Sequence, residues 1–268
     1  VERTLQKRIE VTDSWITVDV YGEPDGAAIV MIPGVMSKAS VWRHVAGALT
    51  GWQTVAVVNR RGRHPSGPLG PGYSLGTEVA DAAAVLAGFG DVRTLFGWSY
   101  GGLIALRLAS THPLPHVIAY EPVIRPFAAH ALDDLRRASE ADDPDATVEI
   151  VMRQVSGMDA AAVERLRMDD AAWQALRRLG VPVYQETLAI DQAEAGPGLA
   201  RAAGRVDLVV GGLDRGLPPY GTSFDDVCRA VPGAAVHELP GQGHMAHLEA
   251  PRELAALVDR LGGPAASG

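Results

Sequence analysis

An α/β architecture, with a mostly parallel, doubly covered eight-stranded sheet and a helical cap insertion, is predicted by three features of the sequence. Short apolar runs at residues 28–32, 54–58, 92–96 and 116–120 alternate with segments of helical spacing, and the same kind of run returns at 205–211 and 235–239. Runs that are apolar throughout suit strands buried on both faces. Strand and helix in strict alternation imply parallel strands joined by crossover helices. Residues 125–203 break the alternation, because strand-like runs disappear there while helix-compatible segments continue.

Each element has a local reason. Residues 7–12 and 15–21 place Ile9, Val11, Ile16, Val18 and Val20 at alternate positions, as two paired antiparallel strands would. Gly22-Glu23-Pro24-Asp25-Gly26 turns the chain into the buried strand 28–32, and a helix is expected from Ser40 with Val41, Trp42, Val45 and Leu49 on one side. Strand 54–58 ends in a Gly/Pro-rich loop from Asn59 to Ser74, and residues 75–88 carry Val79, Ala82, Ala83 and Leu86 on one helical face. In the insertion, helices are expected at 127–140, 146–155, 160–166 and 171–179, punctuated by Asp142-Asp143-Pro144-Asp145, Gly180-Val181-Pro182 and residues 195–198. After it, a helix over 223–230, strand 235–239 and a terminal helix through Leu254, Leu257, Val258 and Leu261 complete the pattern, with 262–268 as a frayed tail. The expected domains are therefore a core of residues 1–124 and 204–268 and a cap of 125–203.

Composition narrows the function classes. The chain has 268 residues, 47% of them hydrophobic, which suffices for a large core. A net charge of −8 argues against nucleic acid or an anionic membrane as partner, since both require a basic face. No apolar run approaches a bilayer span, and residues 1–7 lack the apolar centre of a signal peptide, so a cytoplasmic location is the expectation. The single cysteine, Cys228, has no partner for an internal disulfide and reads as a packed small apolar residue. No histidine and carboxylate spacing suits a metal, and no cofactor is expected. The expected partner is a small-molecule substrate, with self-association to a homodimer left open.

The chemistry centres on Gly97-Trp98-Ser99-Tyr100-Gly101-Gly102, between strand 92–96 and the helix that starts with Leu103 and Ile104. A Gly-x-Ser-x-Gly frame between strand and helix is the pattern of a sharp, strained turn that lifts the hydroxyl clear of the sheet. The helix aims its unpaired N–H groups back at that serine. A serine needs a base, which imidazole supplies near neutral pH, and a carboxylate to hold the imidazole's tautomer. Ser99, Asp214 and His244 follow in that chain order, each just after a strand end. Glu121, at the end of strand 116–120, competes for the carboxylate role, but Pro122 after it favours a structural turn, and Asp214 is preferred. Among the other histidines, His247 is placed near the pocket rim and His64 on a solvated loop.

These residues resemble the α/β-hydrolase fold superfamily across nearly the whole chain outside the insertion. Gly97-Trp98-Ser99-Tyr100-Gly101-Gly102 resembles its nucleophile motif, Gly211-Gly212-Leu213-Asp214 its acid turn, and Gly241-Gln242-Gly243-His244 with Glu249 and Pro251 its histidine loop. Asn59-Arg60-Arg61-Gly62 resembles the Arg-Gly turn after its fourth strand, and Leu95-Phe96-Gly97 with Tyr120-Glu121-Pro122 resembles actinobacterial members of mostly unassigned substrate. The resemblance implies a serine hydrolase of a carboxylic ester or thioester, with catalytic Ser99, His244 and Asp214 and oxyanion-hole N–H groups from Val35 and Tyr100. Substrate contacts are expected from Trp98, Met36 and Met245. Two departures matter: Pro33-Gly34 stands where the family often has His-Gly, and Trp98 stands where histidine is common before the serine. The same triad also serves lyase, acyl-transfer or cyclisation chemistry, and an idle triad would leave a ligand-binding protein.

Overall fold

A computed structural model describes residues 2–193 and 198–263. The chain opens with β1 (Leu5–Val11) and β2 (Ser14–Gly22), followed by β3 (Ala28–Ile32), a one-turn helix α1 (Arg43–Ala46) and β4 (Thr54–Asn59). Then come α2 (Leu75–Ala87), β5 (Val92–Trp98), α3 (Tyr100–Leu108) and β6 (His116–Tyr120). Between β6 and the next strand lie α4 (Leu132–Glu140), α5 (Pro144–Ile150), α6 (Ala160–Arg167), α7 (Asp170–Gly180) and α8 (Val183–Asp191). The chain finishes with β7 (Val206–Gly211), α9 (Tyr220–Ala230), β8 (Ala235–Leu239), α10 (Ala246–Glu249) and α11 (Pro251–Gly262).

Among the described residues the strands form one eight-stranded sheet in the order β1-β2-β4-β3-β5-β6-β7-β8. The β1/β2 and β2/β4 pairs are antiparallel, and every pair from β4/β3 to β7/β8 is parallel. Side chains alternate between two cores, as a pleated strand demands. Val30 and Ile32 of β3 join Leu95, Val117 and Leu208 under α2, α3 and α9, while Ile29 and Met31 join Phe96, Ile118 and Val209 under α1, α10 and α11. Burial on both faces is why these strands read as apolar runs rather than as alternating patterns.

The parallel strands all point the same way, so the loops after β3, β5, β6, β7 and β8 share one edge of the sheet. The α4 to α8 segment packs onto that edge. Its residues Ala131, Leu135, Val151 and Val183 form a cluster that takes in Val35 and Met36 from the loop after β3. A second cluster of Val148, Val163 and Trp173 also rests on Met36.

The structure departs from the sequence-based elements in particular places. The helix expected over 127–140 is interrupted, because Ala128 takes a left-handed conformation with φ 58°, and a 3-10 turn at Ala129–Ala131 precedes α4. The helix expected from Ser40 is a 3-10 turn, Ala39–Trp42, running into the single turn of α1. Helix α8 was not expected, since it buries Glu186 and Thr187 along with Val183, Ala189 and Ile190 and so shows no clean apolar stripe. Helix α9 starts at Tyr220 rather than at 223. Residues 195–197 of the expected punctuation and 264–268 of the expected tail lie outside the described residues. Among those described, no helix is long and apolar enough to cross a membrane.

Phe96 is 1% exposed and meets Trp42 edge-on, with ring centroids 5.6 Å apart. Phe96→Ala should therefore cost about 3–5 kcal/mol, measured as a lower urea midpoint at unchanged slope; a loss below about 1 kcal/mol would mean that this layer repacks around the void.

Candidate active site

Ser99 stands between β5 and α3 at φ 56° and ψ −123°, an unfavourable conformation for a residue with a side chain. Its N–H donates to the Tyr120 carbonyl at 3.0 Å, and its carbonyl accepts from the Gly102 N–H at 2.9 Å, so backbone on both sides holds the turn. The flanking glycines are needed for close approach. A methyl at Gly101 would collide with the Ile32 carbonyl at the end of β3, and one at Gly97 would collide with the Gly101 carbonyl.

The loop after β3 lies against this turn, where a methyl on Gly34 would come within 2.7 Å of Ser99 Cβ. Val35 and Tyr100 follow Gly34 and Ser99, and their N–H groups donate to no acceptor among the described residues. Free donors beside a serine are what a developing oxyanion requires.

The His244 loop is pinned by two aromatic side chains from neighbouring strands. Trp98 Nε1 donates to the His244 carbonyl at 2.8 Å, and the Tyr120 hydroxyl donates to the Gly243 carbonyl at 2.7 Å. The imidazole is 7% exposed at the residue level and stacks on the Tyr220 ring, with centroids 3.5 Å apart and planes within 7°. His247 stacks in turn on Trp42, and its ring packs against Trp98 at 4.4 Å.

The carboxylate on the imidazole is not the expected one. Glu121 Oε2 lies 2.6 Å from His244 Nδ1, and its other oxygen accepts the Gly211 N–H at 2.8 Å. Asp214, preferred from the sequence, makes no hydrogen bond with that ring nitrogen among the described residues; it neighbours Glu121, and its Oδ2 is buried with no hydrogen-bond partner among the described residues. Glu121 reaches the ring because it leaves β6 with φ 41° and has a side chain one methylene longer. The Pro122 that suggested a structural turn does not turn Glu121 away.

Burial sets the protonation of this group. It pushes the Glu121 carboxyl up to about 7, against the Gly211 N–H that favours the charged form. Burial also lowers the pKa of His244, so the imidazole is neutral at pH 7 and able to accept a proton. Asp214 is raised by burial and then by the neighbouring Glu121 charge. Ser99 Oγ makes no hydrogen bond among the described residues; Trp98, the residue before it, holds the His244 carbonyl and packs against the imidazole at 4.7 Å.

Other expected site residues separate. Trp98 is 4% exposed and packs edge-on against Trp42, so it supports the His244 loop from below instead of facing a substrate. Met36, at φ 53°, rests against the α4 to α8 clusters, whereas Met245 is an exposed residue outside them. His64 is exposed, and burial pushes the Cys228 thiol up to about 11, away from the thiolate form. Among the described residues no group of three or more His, Cys, Asp and Glu is arranged to hold a metal. The sequence reading missed Arg60, Glu186 and Tyr220. Arg60 was visible only as part of a turn, Glu186 sits in an unexpected helix, and Tyr220 was hidden behind Pro218 and Pro219.

A Ser turn after the fifth strand, a histidine after the eighth and a parallel sheet between them find their counterpart in a family model described as the alpha/beta hydrolase family, which matches residues 29–257. The chain belongs to the alpha/beta hydrolase family. A putative carbamate hydrolase, RutD, of Variovorax paradoxus (strain S110) is 32% identical over 99 residues, 35% of this chain and 37% of that protein. An uncharacterized hydrolase, YraK, of Bacillus subtilis (strain 168) is 35% identical over 104 residues, 37% of this chain and 38% of that protein. The chain thus spans under two fifths of the length of these curated relatives. Among solved structures, an alpha/beta hydrolase from Sphaerobacter thermophilus DSM 20745 has a TM-score of 0.73 at 22% identity, over 95% of this chain and 99% of that one. The enol-lactonase from Burkholderia xenovorans LB400 has a TM-score of 0.69 at 20% identity, over 95% and 99%. Both likenesses show the shared fold.

The Tyr120 hydroxyl is the tie between β6 and the Gly243 carbonyl. Tyr120→Phe should lower stability by about 1 kcal/mol in urea unfolding and speed amide exchange across residues 241–245; unchanged exchange there would mean the loop is held without it.

Proposed function

We propose that this family member is a serine hydrolase that cleaves a carboxylic ester or thioester of a small to medium, largely apolar substrate through an acyl-enzyme. The observation that carries the reading is the 2.6 Å contact between Glu121 and His244 Nδ1 beside a serine on a strained turn. A carboxylate on Nδ1 fixes the tautomer in which Nε2 is the free base.

In this reading Ser99 Oγ attacks the substrate carbonyl carbon as its proton passes to His244 Nε2. The oxyanion is held by the N–H groups of Val35 and Tyr100, and Glu121 stabilises the imidazolium. Collapse breaks the bond to the leaving alkoxide or thiolate, which takes the proton from Nε2. Water, deprotonated by the same nitrogen, then attacks the acyl carbon; the acyl–Oγ bond breaks, the acid leaves, and Ser99 Oγ takes the proton back from Nε2. The Ser99 to His244 bond, open in this structure, closes when substrate fills the site, as catalytic contacts commonly do.

Residues 125–203 act as the cap over a core of 1–124 and 204–268. Val35, Met36, Met152 and Val155 share one apolar cluster at the edge of the oxyanion loop, which supports an apolar acyl or alkyl group in the substrate. An ester-type bond also agrees with the lactonase among the fold neighbours, as an analogy of fold. Asp214 is assigned no contact with the imidazole; its carboxyl is raised by burial and by Glu121, and its hydrogen bond to Glu121 favours the charged form of Glu121.

A fluorophosphonate should label Ser99 and fail to label Ser99→Ala; an unlabelled native protein would remove the serine mechanism. Glu121→Gln should lower kcat by about 10³- to 10⁴-fold, while Asp214→Asn lowers it less than about tenfold; the opposite ranking would return the acid role to Asp214. The acid limb of kcat/KM should have its midpoint near 7, where Glu121 takes up a proton. A protonated Glu121 donates to Nδ1 and drives the imidazole proton to Nε2, so activity falls as pH falls through that value. A limb below pH 5 would mean that Glu121 stays charged in the active site.

A further inference from the structure

Arg60 follows β4 and is 2% exposed. Its guanidinium spends two of its donors on consecutive carbonyls of the loop beside Ser99: Nε to Pro33 O at 2.8 Å and Nη2 to Gly34 O at 2.7 Å. Its Nη1 bonds Glu78 of α2 and Glu186 of α8, each at 2.6 Å. Arg63 Nη2 holds the other Glu186 oxygen at 2.7 Å, and the Tyr73 hydroxyl donates to Glu78 at 2.7 Å. The guanidinium also lies over the Tyr100 ring, 5.0 Å from its centroid.

Two arginines and two glutamates balance in charge, so neutrality alone is satisfied within the cluster. It leaves unexplained why Arg60 turns its fork onto Pro33 and Gly34. The geometry of a trans peptide supplies the reason. The Gly34 carbonyl and the Val35 N–H belong to one rigid planar unit and point in opposite directions. A charged donor that fixes the carbonyl therefore fixes the N–H, and by drawing electron density toward the oxygen it strengthens that N–H as a donor. Arg60 touches both residues whose N–H groups are free beside Ser99, Val35 through the shared peptide and Tyr100 through its ring.

We infer that Arg60 is a positioning residue that aims and polarises the Val35 N–H of the oxyanion hole, and that Glu186 makes this aim depend on how helix α8 is seated. This rests on the serine-hydrolase reading above. Arg60 supports the Pro33-Gly34 loop through two consecutive carbonyls. Because α8 belongs to the segment between β6 and β7, a shift of α8 pulls on the Glu186 carboxylate and through Arg60 on the Gly34–Val35 peptide.

The test uses the full chain, a p-nitrophenyl ester series as substrate, end-point titration with a fluorophosphonate to count competent Ser99 sites, and a boronic acid as tetrahedral mimic. Arg60→Lys keeps the charge but loses the fork; it should lower kcat per titrated site ten- to a hundredfold, with KM within about threefold and boronate affinity falling in step with kcat. Glu186→Gln keeps an acceptor and should lower kcat per titrated site three- to tenfold in the same pattern. A merely structural role predicts fewer titrated sites and a lower Tm with unchanged turnover per site. If Arg60→Lys fails to fold, Glu186→Gln decides alone. A folded variant with kcat per titrated site within twofold of the native protein overturns the inference. Failure of the hydrolase reading shows differently, as a native protein that neither takes up the fluorophosphonate nor turns over the esters.

Discussion

Three backbone segments meet at the serine turn with no room for side chains, and the rest of the site is placed by that meeting. The Ile32 carbonyl at the end of β3, the start of α3 at Gly101 and the end of β5 at Gly97 lie closer together than any methyl group would allow. Ser99 is held at positive φ between them, with its backbone bonded to β6 on one side and α3 on the other. A position this strained persists only where packing on all sides over-determines it. Here the two cores, one on each face of the sheet, supply that rigidity.

Around the turn, polar groups removed from water are organised in two separate sets. One set pairs Glu121 with His244 at 2.6 Å, and the Glu121 carboxyl has a raised pKa because burial disfavours its charge. The other, Arg60 and Arg63 with Glu78 and Glu186, has charges that cancel, and it braces backbone carbonyls. Buried ion pairs add little net stability once desolvation is counted. Their value here is geometric, since a guanidinium fork has fixed directions and two carbonyls of one loop satisfy two of them. Arg61 makes a similar fork onto Asp81 of α2, at 2.6 and 2.7 Å, and anchors the loop after β4 without touching the serine turn.

Aromatic side chains connect these sets to the histidine loop. Trp98 lies under the serine and binds the His244 carbonyl, Tyr120 binds the Gly243 carbonyl, and Tyr220 covers the imidazole face. Each is a large ring with one polar atom, so each fills apolar volume while that atom finds a partner: a backbone carbonyl for Trp98 and Tyr120, the Ser156 hydroxyl for Tyr220. The segment between β6 and β7 closes over this arrangement by burying Val35 and Met36 within its own apolar clusters.

What the sequence determined by itself is the part governed by short-range chemistry. Apolar runs bounded by Gly and Pro marked the strands of the parallel sheet, and the Gly-x-Ser-x-Gly frame marked Ser99, because strand burial and turn sterics act over a few neighbouring residues. His244 was legible for the same reason, as a histidine in a glycine-rich loop after the last strand. Tertiary structure alone decided which carboxylate meets His244, since Glu121 lies 123 residues away in the chain and its reach depends on φ and on the placement of two strands. It likewise decided the surroundings of Arg60, whose four hydrogen bonds go to three different parts of the chain, and the existence of α8, whose buried face carries Glu186 and Thr187 and so lacks the apolar stripe that would announce a helix. Periodicity reports the face that an element turns to the core; which buried polar groups then find one another is set by packing between elements, and no local pattern encodes it.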